Sequence, residues 1–145
     1  MTAKLPPHDV DTEASCLNSI MMNREALLKV LHILNPEDFY LEQHRLVYEA
    51  ITWLDRRNSP IDLITVKQYL VDNNAFERAG GDRFLAGIYR STAISANAET
   101  YAKRIRELGL RRKLIEVSAK VVESCHDLSQ ETAEMLDEAE RQVFD

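Results

Sequence analysis

Apolar residues recur at intervals of three and four along most of the chain, the spacing that places side chains on one face of an α-helix. No stretch alternates apolar and polar residues over a length that would predict a β-strand. The pattern therefore predicts an all-α protein with seven helical segments. They lie at about residues 11–22, 24–34, 41–57, 63–73, 82–91, 98–126 and 130–144.

Polar residues at the segment ends predict where the helices begin. Asp9 or Asp11 can cap the first helix, Asn23 the second and Asp62 the fourth, because each side-chain oxygen can accept a backbone N–H. The segment 35–38 (Asn-Pro-Glu-Asp) predicts a stop followed by a new first turn, since proline disfavours helical geometry in the residue before it. Glu37 and Asp38 are then interpreted as first-turn charges.

The chain divides into two parts near residue 98. Residues 1–97 predict a globular multi-helix head, whose last residues, 91–97, are a polar connector. Residues 98–126 predict one helix about 42 Å long. With the last helix this forms a long two-helix hairpin, 98–145. Gly109 is the weak point of the long helix, at about 1 kcal/mol against alanine.

The long helix carries two apolar stripes, whereas a helix packed on one partner needs only one. The last helix is expected to pack on the long helix through Ala133, Leu136, Ala139 and Val143, but at about 22 Å it covers only half of its length. We therefore expect a second copy to cover the rest, as a two-fold dimer packed as a four-helix bundle. The alternative is that the hairpin folds flat onto the head. The predicted dimer interface comprises Leu110, Leu114, Val117, Val121, Cys125, Leu136 and Val143.

Charge is unevenly distributed along the chain. The 18 basic and 24 acidic residues give a net charge of −6, which disfavours general binding to nucleic-acid backbone. Residues 99–113 hold six basic and two acidic residues, whereas 130–145 hold one basic and six acidic residues. The two helices are thus complementary. The alternative function is a nucleic-acid-binding helical regulator that uses the basic segment 103–113.

The sequence offers no chemistry of its own. It has no Gly-x-x-x-x-Gly-Lys-Ser/Thr phosphate loop, and its four histidines match no zinc pattern. We therefore expect no catalytic, cofactor-binding or metal-binding residue. Cys16 and Cys125 are far apart in sequence and are expected to be buried, reduced thiols. No apolar run is long enough to span a membrane, and the first seven residues lack the apolar core of a secretion signal.

Short motifs distributed over residues 7–145 form a recognisable pattern. The more specific are Pro36-Glu37-Asp38-Phe39-Tyr40 and the segment 60–66 (Pro-Ile-Asp-Leu-Ile-Thr-Val). Others are Pro7-His8, Asp11-Thr12-Glu13-Ala14, Met21-Met22, His44-Arg45, Gly80-Gly81 with Phe84-Leu85, Ser95-Ala96-Asn97, Tyr101-Ala102, Leu110 to Ile115 and Leu136 to Glu140. Together they resemble the amino-terminal domain of bacterial replicative DNA helicases of the DnaB type.

The resemblance implies a function that the residues alone do not. It implies an all-helical collar domain whose hairpins pair, so that six subunits form a trimer of dimers in the bacterial cytoplasm at the replication fork. It implies binding to the helicase-binding domain of primase, with Phe84, Leu114 and Ile115 as contact candidates, and a helicase loader as a further candidate partner. ATP, Mg²⁺ and DNA are expected to bind a RecA-like ATPase domain outside these residues. The fragment itself is expected to have no ATPase activity.

Overall fold

The computed structural model describes residues 4–91 and 95–144, and within these ranges it contains α-helices, two 3₁₀ turns and no strand. The helices are α1 (Val10–Met22), α2 (Arg24–Leu31), α3 (Glu42–Arg56), α4 (Leu63–Asp72), α5 (Gly81–Tyr89), α6 (Ala98–His126) and α7 (Thr132–Phe144). The 3₁₀ turns are Pro36–Asp38 and Ser95–Asn97. The predicted all-α fold with seven helices is confirmed.

The predicted capping residues form the expected hydrogen bonds. Asp9 accepts from the backbone N–H of Thr12 at 3.1 Å, and Asn23 caps α2 in the same way. At the start of α4, Asp62 accepts from the N–H of Thr65 at 2.8 Å, and the Thr65 hydroxyl accepts from the N–H of Asp62 at 2.9 Å. These bonds satisfy first-turn N–H groups that have no partner inside a helix. They explain why the predicted and observed helix starts agree closely.

Five helices are shorter than predicted, by one to three residues, α2 and α7 among them. Helix α2 ends at Leu31 rather than near residue 34, and α7 begins at Thr132 rather than near residue 130. Ahead of α7, Asp127 accepts hydrogen bonds from both the N–H and the hydroxyl of Ser129, which holds a turn there. These bonds lower the pKa of Asp127, and the bond from the Ser129 hydroxyl has the largest effect. Residues 92–94 of the predicted connector lie outside the described residues.

The described residues form two compact units. The first, here called the head unit, is His8–Gly109, and the second, the hairpin unit, is 110–144 with 4–7. The division falls inside α6, directly after Gly109. The sequence analysis placed the boundary between head and hairpin at residues 97 and 98 instead. That assignment of functional domains stays a prediction.

The head unit has one hydrophobic core. Helix α1 packs against α2, α3 and α5, and α3 packs against α4. Residues Ala98, Ala102 and Ile105 at the start of α6 join the same core. Its largest fully buried apolar side chains are Tyr48, Phe39, Leu17, Ile20, Leu27, Ile51, Leu70, Ile105, Val30 and Val47. Burial of this surface is the main source of stability for the head unit.

The only tryptophan of the sequence, Trp53, lies on α3 in the head unit. The ring of Trp53 lies 5.0 Å from that of Tyr69, centroid to centroid. The guanidinium of Arg57 lies 4.2 Å from the Trp53 ring centroid, close enough for a cation–π contact. Tyr69 and Arg57, which contact the Trp53 ring, both belong to the head unit.

The two thiols have different environments. Cys16 is fully buried in α1, as predicted, and burial raises the pKa of its thiol to about 12. Cys125 is exposed near the end of α6. The prediction of a buried Cys125 is therefore wrong for the single chain, because α7 leaves that part of α6 partly open.

Candidate functional site

The hairpin unit contains the surface that was predicted to bind a second copy. Its two helices line a cavity of about 390 Å³, with Val121 and Cys125 on α6 and Met135 and Ala139 on α7. Met135, Ala139 and Gln142 are the half-buried residues of α7. Their spacing of four and three places them on one helical face. Helix α7 therefore turns this face toward α6.

The sequence pattern predicted that α7 packs on α6 through Ala133, Leu136, Ala139 and Val143, and of these Ala139 is half-buried in the cavity. Leu136 is 66% exposed and Val143 is 40% exposed. These side chains are consequently open to a partner rather than used inside the hairpin. This corrects the predicted packing of α7 and is compatible with their place in the predicted dimer interface.

The predicted interface residues of α6 differ in exposure. Leu110 and Leu114 are exposed, Val121 is half-buried in the cavity, and Val117 is buried at 7% exposure in the single chain. Val117 thus offers little surface to a partner. The assignment of Leu110, Leu114 and Val121 to a dimer interface stays a prediction.

A second apolar stripe on α6 is also exposed. Ile115 and Val122 are more than half exposed, and Ala119 lies exposed between them, at helical spacing. The sequence analysis recognised this stripe but did not assign it to the interface. Contiguous exposed apolar residues of this kind often mark interaction surfaces. The hairpin unit therefore presents apolar side chains on both of its helices.

The three predicted primase contacts lie in different units. Phe84 belongs to the head unit, where it is half-buried, and its ring lies 5.4 Å from that of His44. A Cβ at Gly80 would lie 2.5 Å from the Phe84 Cβ, so glycine is required at this left-handed position (φ 92°). Leu114 and Ile115 belong to the hairpin unit and are about half exposed. Phe84 thus has a packing role in the head core.

The basic segment 103–113 is largely engaged inside the chain. Several of its cations contact acidic side chains or a carbonyl group: Lys103 contacts Glu99 at 3.3 Å, Arg104 Asp9 at 3.2 Å, Arg106 Asp38 at 2.9 Å, and Arg112 the carbonyl of Pro7 at 2.8 Å. Burial tends to raise the pKa of Asp9, but hydrogen bonds from Thr12 and Arg104 outweigh it and lower the pKa. These contacts weaken the alternative of a nucleic-acid surface on this segment.

A buried polar cluster links α1 to the start of α3. Glu13 and His44 are 2% and 1% exposed, and Glu13 Oε1 lies 2.8 Å from His44 Nδ1. The other oxygen, Oε2, accepts from the backbone N–H of Tyr40 at 2.8 Å. The sequence analysis did not pair Glu13 with His44. The local pattern holds no signal for a pair 31 residues apart.

A second buried carboxylate fixes α6 to the 3₁₀ turn. Asp38 is 3% exposed and accepts from the N–H of Asn35 at 2.8 Å and from Arg106 at 2.9 Å. The helix approaches closely here, because a Cβ at Gly109 would lie 3.2 Å from the Asp38 Cα. Asp38 is a first-turn charge as interpreted, and it also holds this contact with α6.

The described residues contain no group of three or more histidine, cysteine, aspartate or glutamate residues that could hold a metal ion. None of their helices is both long and apolar enough to cross a membrane.

Comparison with known proteins identifies the family. The family model described as "DnaB-like helicase N terminal domain" matches residues 5–107. The chain belongs to this family. The crystal structure of the N-terminal domain of DnaB helicase from Mycobacterium tuberculosis is similar over 97% of this chain and 100% of that one, with a TM-score of 0.91 and 33% identity. The resemblance found in the sequence is confirmed.

Full-length members of the family extend well beyond this domain. The replicative DNA helicase DnaC of Bacillus subtilis is 32% identical over 98% of this chain, and the replicative DNA helicase DnaB of Pasteurella multocida is 36% identical over 97%. The chain spans only 31% and 30% of these relatives. The chain is therefore similar to the N-terminal domain of these longer proteins.

Proposed function

We propose that this chain is the assembly and partner-binding domain of a replicative DNA helicase. The observation that carries the proposal is the exposed apolar surface of the hairpin unit, together with membership of the DnaB N-terminal family. Duplex unwinding, with its ATP, Mg²⁺ and DNA sites, is assigned to the remainder of such a helicase in the bacterial cytoplasm. A helicase loader is a further proposed partner.

The first proposed role is self-association through the hairpin unit. Ile115 and Val122 on α6 and Leu136 on α7 each expose more than half of their surface. Removing such groups from water contributes about 25 cal/mol per Å² buried, which favours a contact that covers several of them. A second copy can supply a matching surface, because a two-fold contact uses the same patch of both copies. The result is the four-helix bundle expected from the sequence.

Self-association can be tested by placing a carboxylate on each of the two apolar stripes of α6. We expect Leu114→Asp and Val122→Glu each to weaken the dimer by at least about tenfold, because burying an unpaired charge costs several kcal/mol. Sedimentation velocity over a concentration series measures the dissociation constant. Far-UV circular dichroism should show an unchanged helix content, because both side chains are exposed in the single chain.

Lys113→Asp is the matched control for Leu114→Asp. It changes an exposed polar position on the same helix and should leave the dimer close to wild-type strength. A wild-type chain that stays monomeric at tens of micromolar (about 50 µM) would refute self-association through the hairpin. So would dimers that both stripe variants form as readily as the wild type.

The second proposed role is binding of the helicase-binding domain of primase. Leu114 and Ile115 support it because they are apolar and half exposed. Phe84 is a weaker candidate because it packs in the head core.

We expect Ile115→Ala to weaken binding of the primase domain by about fivefold to tenfold, through loss of a buried aliphatic side chain. Isothermal titration calorimetry measures this affinity, and sedimentation of the same sample shows whether the dimer is intact. Leu28→Ala, at an exposed apolar position of the head unit, is the control. Equal affinities for wild type and Ile115→Ala would remove Ile115 from the contact.

A further inference from the structure

One buried carboxylate of the head unit lacks a hydrogen-bond donor. Asp55 lies in the last turn of α3, and its Oδ1 is buried and accepts no hydrogen bond from any group within residues 4–91 and 95–144. A buried acceptor without a donor lowers stability, so native structures hold few of them. The negative charge also lies at the carboxyl end of a helix, where the helix dipole disfavours it. A cation that donates to this oxygen would offset both costs.

Arg24 is the cation that the chain itself brings to Asp55. Its Nη2 lies 3.3 Å from Oδ1, in an ion pair that includes no hydrogen bond. The Arg24 side chain is 60% exposed and that of Asp55 is 13% exposed, so the arginine approaches the carboxylate from the solvent side. An ion pair with such an exposed cation contributes little stability. A second cation can therefore displace Arg24 at small cost.

Asp55 and Arg24 line a cavity of about 340 Å³ whose other walls are mainly apolar. Met21 and Met22, at the end of α1, and Ile61, before α4, contribute to these walls. Lysine and arginine combine a long aliphatic stem with a cationic end, which matches apolar walls beside one carboxylate. Methionine side chains also adapt their shape to what they contact. The cavity therefore suits an alkyl chain that ends in a cation.

A second cavity adjoins the first across Ser59 and Pro60, which line both. This cavity has a volume of about 380 Å³, and the rings of Trp53 and Tyr69 line it. Trp53 is exposed, and grooves with aromatic walls accept proline and aliphatic residues of extended peptides. The two cavities, here called the α3–α4 double cavity, thus place a charged compartment beside an aromatic one.

We propose that the α3–α4 double cavity binds an extended peptide segment of a partner protein. An arginine or lysine side chain of the segment displaces Arg24 and donates to Oδ1 of Asp55, and an apolar side chain packs against the ring of Trp53. Side chains two residues apart in an extended peptide point the same way and are separated by about 7 Å, which suits two cavities that share a wall. A free alkyl cation would use the first cavity alone.

N-butylguanidinium, an arginine-like cation on a short alkyl chain, tests the charged compartment. We expect it to shift backbone amide signals between residues 55 and 61 in NMR spectra of the isotope-labelled chain, with a dissociation constant of about 1–10 mM. The neutral isostere N-butylurea should bind at least about tenfold more weakly, because it supplies no cation to Asp55. Equal binding of the two probes, or no saturable shift in this segment up to about 50 mM, would overturn the proposal.

Three variants test the role of Asp55. Asp55→Asn should weaken N-butylguanidinium binding by at least about fivefold without lowering the urea midpoint, since Oδ1 accepts no hydrogen bond within the described residues. Glu49→Gln, at an exposed position of the same helix, is the control with the same change in net charge and should bind as the wild type does. Arg24→Gln should strengthen binding by about twofold to threefold, because it removes the competing cation. A lower urea midpoint for Asp55→Asn with unchanged affinity would assign Asp55 a structural role and overturn the proposal.

A peptide tests whether both compartments act together. Acetyl-Arg-Pro-Leu-Pro-amide carries leucine two residues after arginine, and we expect it to bind at least about fivefold more tightly than N-butylguanidinium. It should also shift the indole N–H signal of Trp53, the only tryptophan of the chain. The citrulline counterpart, which is neutral at the first residue, should bind at least about tenfold more weakly. A peptide that binds no more tightly than N-butylguanidinium and leaves the indole signal unchanged would assign the site to a free alkyl cation and overturn the inference.

Sedimentation velocity without ligand separates a partner protein from a second copy of this chain. The α3–α4 double cavity belongs to the head unit, whereas the surface proposed for self-association belongs to the hairpin unit. Asp55→Asn should therefore leave the assembled mass of the wild type unchanged. A smaller mass would assign the cavity to a second copy and overturn the inference, whatever the result for the hairpin variants.

Discussion

At the scale of single residues, the longest-range feature is the way α1 completes the start of α3. Leu41 precedes α3 and contributes no side-chain cap. Glu13, from α1, instead accepts from the N–H of Tyr40, and its other oxygen lies against His44 in the first turn of α3. Glu13 thus accepts the N–H groups of Tyr40 and Leu41, the two residues that precede α3, from another helix, whereas α1, α2 and α4 are capped by residues of their own local sequence.

This role predicts the effect of removing the charge at residue 13. We expect Glu13→Gln to lower the free energy of unfolding by about 1–3 kcal/mol, because an amide nitrogen cannot accept the hydrogen bonds that one of the carboxylate oxygens accepts. Urea unfolding followed by circular dichroism measures the change.

Glu25→Gln provides the control, since Glu25 is an exposed first-turn residue of α2. It should change the stability by less than about 0.5 kcal/mol. Equal effects at positions 13 and 25 would contradict the capping role of Glu13.

The residue scale also shows where sequence reasoning succeeds. Asp9, Asn23 and Asp62 were predictable as caps because each partner N–H lies three residues away, in a fixed local geometry. The contact of Glu13 with His44 and that of Asp38 with Arg106 span 31 and 68 residues. Only the packed fold brings such residues together, so no spacing in the sequence predicts them.

At the scale of helices, α6 is continuous through a glycine that the sequence marked as a weak point. The structure gives Gly109 a second role, because the helix passes so close to Asp38 that a Cβ would lie within 3.2–3.3 Å of it. The glycine therefore costs helix propensity but permits close approach to the 3₁₀ turn.

Alanine substitution at two helical glycines separates these effects. Gly87 has open space around it, so Gly87→Ala should raise the free energy of unfolding by about 0.5–1 kcal/mol through helix propensity. Gly109→Ala should fall short of that gain, because the new methyl group crowds Asp38. Chemical unfolding of both variants measures the difference. An equal gain at the two positions would show that the close approach at Gly109 carries no cost.

Helix α7 shows why the face of a helix is harder to predict than its existence. The apolar residues predicted to face α6 are Ala133, Leu136, Ala139 and Val143. In the structure the half-buried residues of α7 are Met135, Ala139 and Gln142, and Leu136 remains exposed. Periodicity identifies both faces, but only the position of the neighbouring helix decides between them.

At the scale of the whole molecule, the charges are arranged differently from the sequence expectation. The basic segment of α6 was expected to complement the acidic last helix. Instead Arg104 and Arg106 pair with acids of the head unit, Asp9 and Asp38. Asp137 and Glu140 of α7 form no ion pair within the described residues, and Glu138 pairs with Arg141 of the same helix. The net charge and the separation of basic and acidic residues into different helices could be predicted from the sequence. The ion pairs of Arg104 and Arg106 could not, because they depend on which acidic residues the fold places beside α6.

The position of Trp53 limits what one common optical probe can report. Its ring is bordered by Tyr69 and Arg57, so its emission follows the packing of α3 against α4. Residues 110–144 contain no tryptophan. Thermal unfolding followed by tryptophan fluorescence would therefore report only the unfolding of the head unit. The signal would not change if α6 and α7 separated at a lower temperature. Introducing a second indole at Phe144, which is 81% exposed, would give those helices an optical signal of their own.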